Sequence, residues 1–67
     1  MREITFNQIR EKNLKLVGRI SSVDFSKVIL MIERAKDNTA IKYYLMDFIF
    51  YNQNTQEGYF KVSFWKD

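Results

Sequence analysis

The chain has no cysteine, no histidine and no proline, and only two glycines among its 67 residues. Without cysteine there are no disulfides, iron–sulfur clusters or thiolate zinc sites to staple so short a sequence. Without histidine the commonest other metal ligand goes, and so does the side chain that shuttles protons near neutral pH. Long apolar runs are also missing. The longest, Tyr43 to Tyr51, is interrupted by Asp47 and falls well short of the roughly 20 residues of a membrane span. The first residues, Met1-Arg-Glu-Ile-Thr, lack the apolar stretch of a secretory signal. The expectation is a cytoplasmic protein with no membrane contact and no cofactor.

What is present is aromatic and basic. Six Phe, four Tyr and Trp65 supply the large rings. At this length a chain buries only about 60% of the surface its unfolded form exposes, so rings must carry much of the core. One domain, residues 1–67, is expected. Because burial barely offsets chain entropy at this size, a homo-oligomer or a partner is expected too. The net charge of +3 is uneven: residues 1–36 hold eight Lys/Arg against four Asp/Glu, and residues 37–67 hold three against four. Abundant Ile, Lys, Asn and Tyr suggest an AT-rich genome, such as that of a low-GC bacterium or of a phage or other mobile element.

Period-two alternation dominates from residue 14. Leu14, Leu16, Gly18, Ile20 and Ser22 alternate with Lys15, Val17, Arg19, Ser21 and Val23, and Gly18 marks a bend, a bulge or a close backbone approach. A β-branched run, Val28 to Arg34, suggests a second strand, and Lys36 to Thr39 a turn. Ile41 to Tyr51 is apolar on both sides, as in a central strand. After a polar loop, Asn52 to Gly58, a last strand points Phe60, Val62 and Phe64 one way and Tyr59, Lys61, Ser63 and Trp65 the other. Residues 2–13 allow two assignments. Ile4 and Phe6 alternate as in a strand, yet Thr5 with Gln8 forms a capping box and Ile4 with Ile9 a hydrophobic staple, which predict a helix over 6–12 ended by Asn13. The expected fold is mainly β, a small curved antiparallel sheet or five-stranded barrel. The alternative is α+β, with the N-terminal helix on a four-stranded antiparallel meander.

Residue types argue against catalysis. Acid–base work would fall to carboxylates, Lys or Tyr, and the acids sit mostly at turns or ends. No phosphate loop, nucleophile elbow or carboxylate metal cluster appears. Asp47, amid apolar neighbours, is either a ligand acceptor or an ordinary strand residue that pairs with Arg19 or Arg34 or lies at an edge; a lone buried acid is costly, which favours the second. The remaining constellation is basic and aromatic. Lys15 and Arg19 share a strand face, Tyr59, Lys61 and Trp65 share another, and Tyr43 and Tyr51 share one with Asp47. Such a surface suits single-stranded DNA or RNA, whose phosphates meet cations and whose bases stack on rings. It also suits a protein interface, with a host protein or a second copy as partner.

Leu16-Val17-Gly18-Arg19-Ile20, followed by Ile29-Leu30-Met31-Ile32-Glu33-Arg34 and by Asp47-Phe48-Ile49, resembles the opening of bacterial single-stranded DNA-binding proteins of the OB fold. The order and types match over about half the chain. That resemblance implies a barrel with Arg19 and Arg34 on backbone phosphates. The loop after Ile20 is shorter than in that family, and there is no acidic tail. Lys15 to Asp24 with Val28-Ile29-Leu30 is similar to the first motif of Sm-like RNA-binding barrels, although the second motif is absent. With the basic and aromatic pattern of the strands, the expected nucleic-acid interface is Lys15, Arg19, Arg34 and Lys61 on phosphates and Tyr43, Tyr59 and Trp65 stacking on bases.

Overall fold

The structure is a computed structural model that describes residues 1–55 and 57–67. Its elements follow the order β1 (Arg2–Glu3), α1 (Phe6–Lys12), β2 (Lys15–Ser22), α2 (Phe25–Ala35), β3 (Tyr43–Asn52) and β4 (Glu57–Lys66). The four strands form one sheet in the order β1-β3-β4-β2. It is mixed, because β1 runs parallel to β3, while β4 is antiparallel to both β3 and β2. The sheet is open and carries two helices, so the molecule is an α+β variant and not a closed barrel. Nor is it a meander: β2 lies beside β4, its partner late in the chain, and β1 beside β3.

The N-terminal helix forms where its caps predict. Thr5 Oγ1 accepts from the Gln8 backbone N–H, and the Gln8 side chain accepts from the Thr5 N–H. Ile4 and Ile9, the staple pair, are both buried. Asn13 closes the helix in the left-handed conformation, at φ 54° and ψ 48°, a geometry that asparagine tolerates better than most residues. With Leu14, these two isoleucines form a small cluster over Tyr43, Leu45 and Trp65 at one end of the sheet.

The strand expected over Val28 to Arg34 is instead α2. Asp24 Oδ1 caps it by accepting from the Ser26 N–H at 2.9 Å. Val28, Ile32 and Ala35 then recur at helical spacing and pack against the sheet. A short apolar run has the same composition in a buried strand and in a helix, so the capping residue decides between them. Val28 and Val62 are fully buried, and Ile32 and Phe64 complete the main core, with Ile20, Tyr44, Met46 and Phe60 around them. One face of the sheet is thus covered by α2. The opposite face is covered at one end by α1 and is open along the rest.

Two irregularities reset the strand faces. The β2–β4 register shifts between Leu16 and Gly18, and the β3–β4 register between Phe48 and Phe50. Each extra residue carries the rest of its strand to the other side of the sheet. Gly18 therefore marks a bulge and not a close approach, since a Cβ added there would meet nothing within 4 Å. At Gly58 the same addition would lie 3.3 Å from the Phe50 carbonyl oxygen and from the Phe60 ring. Gly18→Ala should accordingly gain about 0.4–1 kcal/mol by restricting the unfolded chain. Gly58→Ala should lose about 1 kcal/mol or more through crowding. Opposite shifts of the urea midpoint at unchanged slope would bear this out.

Candidate binding surfaces

The open part of the sheet face gathers three of the residues expected from sequence. Arg19, Tyr59 and Lys61 line a shallow hollow of about 300 Å³ with Ile20, Ser21 and Ile49. Neighbouring strands place them there: Arg19 pairs with Ser63, and Ser21 and Asp47 flank Lys61 from either side. The Tyr59 hydroxyl donates to Ser21 Oγ at 2.9 Å, which fixes the ring across two strands. Phe50 lies parallel to it, 6.5 Å between centroids and 7° between planes. Asp47 is exposed on the part of β3 that has no outer neighbour, in register with Lys61. It is therefore the edge residue of the two readings, and it makes no ion pair with Arg19 or Arg34.

The other expected site residues are elsewhere. Tyr43 and Trp65 face the α1 cluster and serve as packing. The Arg2 guanidinium and the Lys12 ammonium lie 5.6 and 5.9 Å from the Tyr43 ring centroid. Trp65 Nε1 is buried without an acceptor among the described residues. Lys15, expected beside Arg19, pairs with Lys66, and the bulge at Val17 puts it on the α2 side. Tyr51, expected to share a face with Tyr43 and Asp47, is displaced by the second bulge and meets Phe48 at 5.8 Å. Arg34 is on α2, on the covered side of the sheet, and lines a different groove. A single basic and aromatic patch built from all seven residues does not exist.

Two features had no role in the sequence-based expectation. The first is an arm. Beyond Tyr44, β3 has no outer strand, and beyond Phe60, β4 has only β3 as a neighbour. This hairpin exposes Phe48, Ile49, Phe50 and Tyr51 in succession, each about half accessible, and it stretches the molecule to 40 Å in its longest dimension. Phe25 and Phe60 extend the aromatic surface on one side, with centroids 5.1 Å apart. The second is a groove of about 580 Å³ between α2 and the outer edge of β2, lined by Ile20, Ser22, Lys27, Leu30, Met31 and Arg34 among others. The apolar run Ile41 to Tyr51 suggests a central strand; beyond Tyr44 it is an edge instead, because β1 covers only Tyr43 and Tyr44. The groove was hidden, since it exists only because Val28 to Arg34 is helical.

Electrostatics are sparse. Glu33 of α2 with Lys36 at the cap just past its end, 2.9 Å apart, is the one ion pair among the described residues. The Glu33 hydrogen bond and charge raise the Lys36 pKa, although so exposed a pair adds little to stability. Arg19, Lys27, Arg34 and Lys61 are thus without an acidic partner within ion-pair distance among the described residues. No cluster of three His, Cys, Asp or Glu side chains able to hold a metal occurs among them either. Among the described residues no helix is long and apolar enough to cross a membrane. Neither a protein-family model, nor a curated protein, nor a solved structure matches the chain.

Proposed function

We propose that this protein is a non-catalytic interaction module that works through protein–protein contact, with the β3–β4 arm as its principal surface and a second copy of the chain as its first partner. The observation that carries this is the succession Phe48, Ile49, Phe50 and Tyr51, half-exposed on an edge strand with open backbone groups. Long, apolar, unpaired edges are templates for another strand. Among the described residues, thirteen large hydrophobic side chains are exposed and seven form the buried core. A chain this short gains stability by covering such surface. The arm carries few charges, Asp47 being the only ionisable group in β3 apart from its tyrosines, so like charges do not oppose two arms meeting.

Sedimentation velocity over a range of concentrations tests the proposal. A shift from monomer to dimer or a higher assembly is expected, unaffected by nuclease. A strictly monomeric species that also retains no protein partner after nuclease treatment would refute it.

Single-stranded nucleic acid is a second ligand class, favoured by one feature: Arg19 and Lys61 beside the stacked Phe50–Tyr59 pair. Two cations and one ring platform make a small footprint. Oligonucleotide affinity is expected to be weak and to fall with salt at a slope of about −1 to −2 on logarithmic axes, as for two phosphate contacts on a single strand. Arg19→Ala with Lys61→Ala should abolish it in a fluorescence titration. Binding that survives the double variant would remove this hollow from consideration.

A further inference from the structure

We infer that the outer edge of β2 is a docking site for an acidic, extended peptide segment, which adds to the sheet as a fifth strand beneath α2. This goes beyond the arm-mediated assembly and uses a different edge of the molecule. β2 ends the strand order, so one side of its backbone faces no other strand. Unpaired edge groups offer main-chain hydrogen bonds to an incoming strand, while pockets alongside give specificity.

The pocket alongside is the groove under α2. Its apolar lining is Ile20 from the strand with Val28, Leu30 and Met31 from the helix; Val28 is buried against the core, whereas Leu30 and Met31 are exposed. A helix that packs on one side only ordinarily presents polar residues elsewhere. Here the flank above β2 remains apolar, and its charges, Lys27 and Arg34, are both positive.

Charge selects the occupant. An added strand sends alternate side chains to opposite faces of the sheet. On the α2 side these would meet Lys27 and Arg34; on the open side they would meet Arg19 of β2 itself. β2 contains no acid, and the single acid within α2, Glu33, is engaged by Lys36. A second copy joining through β2 would set cations against cations. An acidic segment with small branched apolar side chains at alternate positions satisfies both the cations and the groove.

The probe is a fluorescein-labelled eight-residue peptide, acetylated and amidated, with Val and Ile at two alternate central positions and Glu elsewhere. Fluorescence anisotropy at low salt should show saturable binding. Lys27→Glu with Arg34→Glu, both on the exposed helix flank, should weaken it by about tenfold or more with an unchanged circular dichroism spectrum. Two further peptides carry N-methyl groups on odd or on even residues. Strand addition uses alternate backbone groups, so one of the two should lose binding and the other keep it.

The inference is overturned by absent saturation, by equal binding of both methylated peptides, or by indifference to the charge reversal. It is overturned equally if an oligothymidylate of the same charge displaces the peptide and shows the same dependence on Lys27 and Arg34. Variants of the arm should leave peptide affinity unchanged, and the charge-reversed groove should leave assembly unchanged, so failure at one edge is distinguishable from failure at the other.

Discussion

Val62→Asp should leave the chain without a cooperative urea transition. Val62 is fully buried on the central strand β4, between Met46 of β3 and Ile20 of β2, and packs into the core beneath Val28. The cluster around it is apolar, with Val28, Ile32 and Phe64 buried and Ile20 and Met46 packed against them. An unpaired buried charge costs several kcal/mol after relaxation. A chain of this length has a total stability of only about 3–10 kcal/mol. The penalty therefore consumes most or all of it. Val62→Ala should be milder, about 2 kcal/mol, because only two methyl groups leave and the small core can settle around them. Lys61→Ser, one residue earlier but on the opposite face, should change stability by no more than about 0.5 kcal/mol. Chemical denaturation followed by far-ultraviolet circular dichroism separates the three. A cooperative transition in the Asp variant would mean that β4 is not central.

Phe48→Ser combined with Phe50→Ser should convert the proposed arm-mediated assembly to monomers while the fold persists. The two rings point to opposite faces of the arm: Phe48 touches Phe60 and Tyr51, and Phe50 stacks on Tyr59. Each is about half exposed, at 55% and 53%, so about half of its burial energy is still ungained in an isolated chain. Full burial of such a ring is worth about 1.5–3 kcal/mol, leaving about 1 kcal/mol each for an interface. In a two-fold dimer the same residues occur on both sides, which doubles the loss to about 4 kcal/mol. That is about a thousandfold in the dissociation constant. Sedimentation at matched concentrations reads it directly. If the variant associates as the parent does, the contact is made by some other surface.

Local signals were easier to read than their assembly. The box of Thr5 and Gln8, the staple of Ile4 and Ile9 and the left-handed Asn13 are interactions within a few residues, and each appears as the letters imply. The alternation of Phe60, Val62 and Phe64 against Tyr59, Lys61 and Trp65 holds along β4, where no bulge intervenes. The segment Val28 to Arg34 misled because branched apolar residues satisfy both a buried strand and a helix, and Asp24 outweighs them only once its side chain is seen to cap. Site residues fared worse for a geometric reason. Facing was inferred by counting in twos, and one extra residue near Val17 and another near Ile49 break the count. Lys15 thereby parts from Arg19, and Tyr51 from Tyr43 and Asp47. Arg34 parts from all of them with the helix.

The placement of Trp65 has a practical corollary. As the sole indole in the chain, tucked beneath α1 at the end remote from the arm, it supplies an optical signal confined to one half of the molecule. Its emission should report loosening of the short N-terminal helix and stay silent when hairpin tips meet. Tyrosine at positions 51 and 59 would register that second event, so a single sample can yield both processes at separate wavelengths.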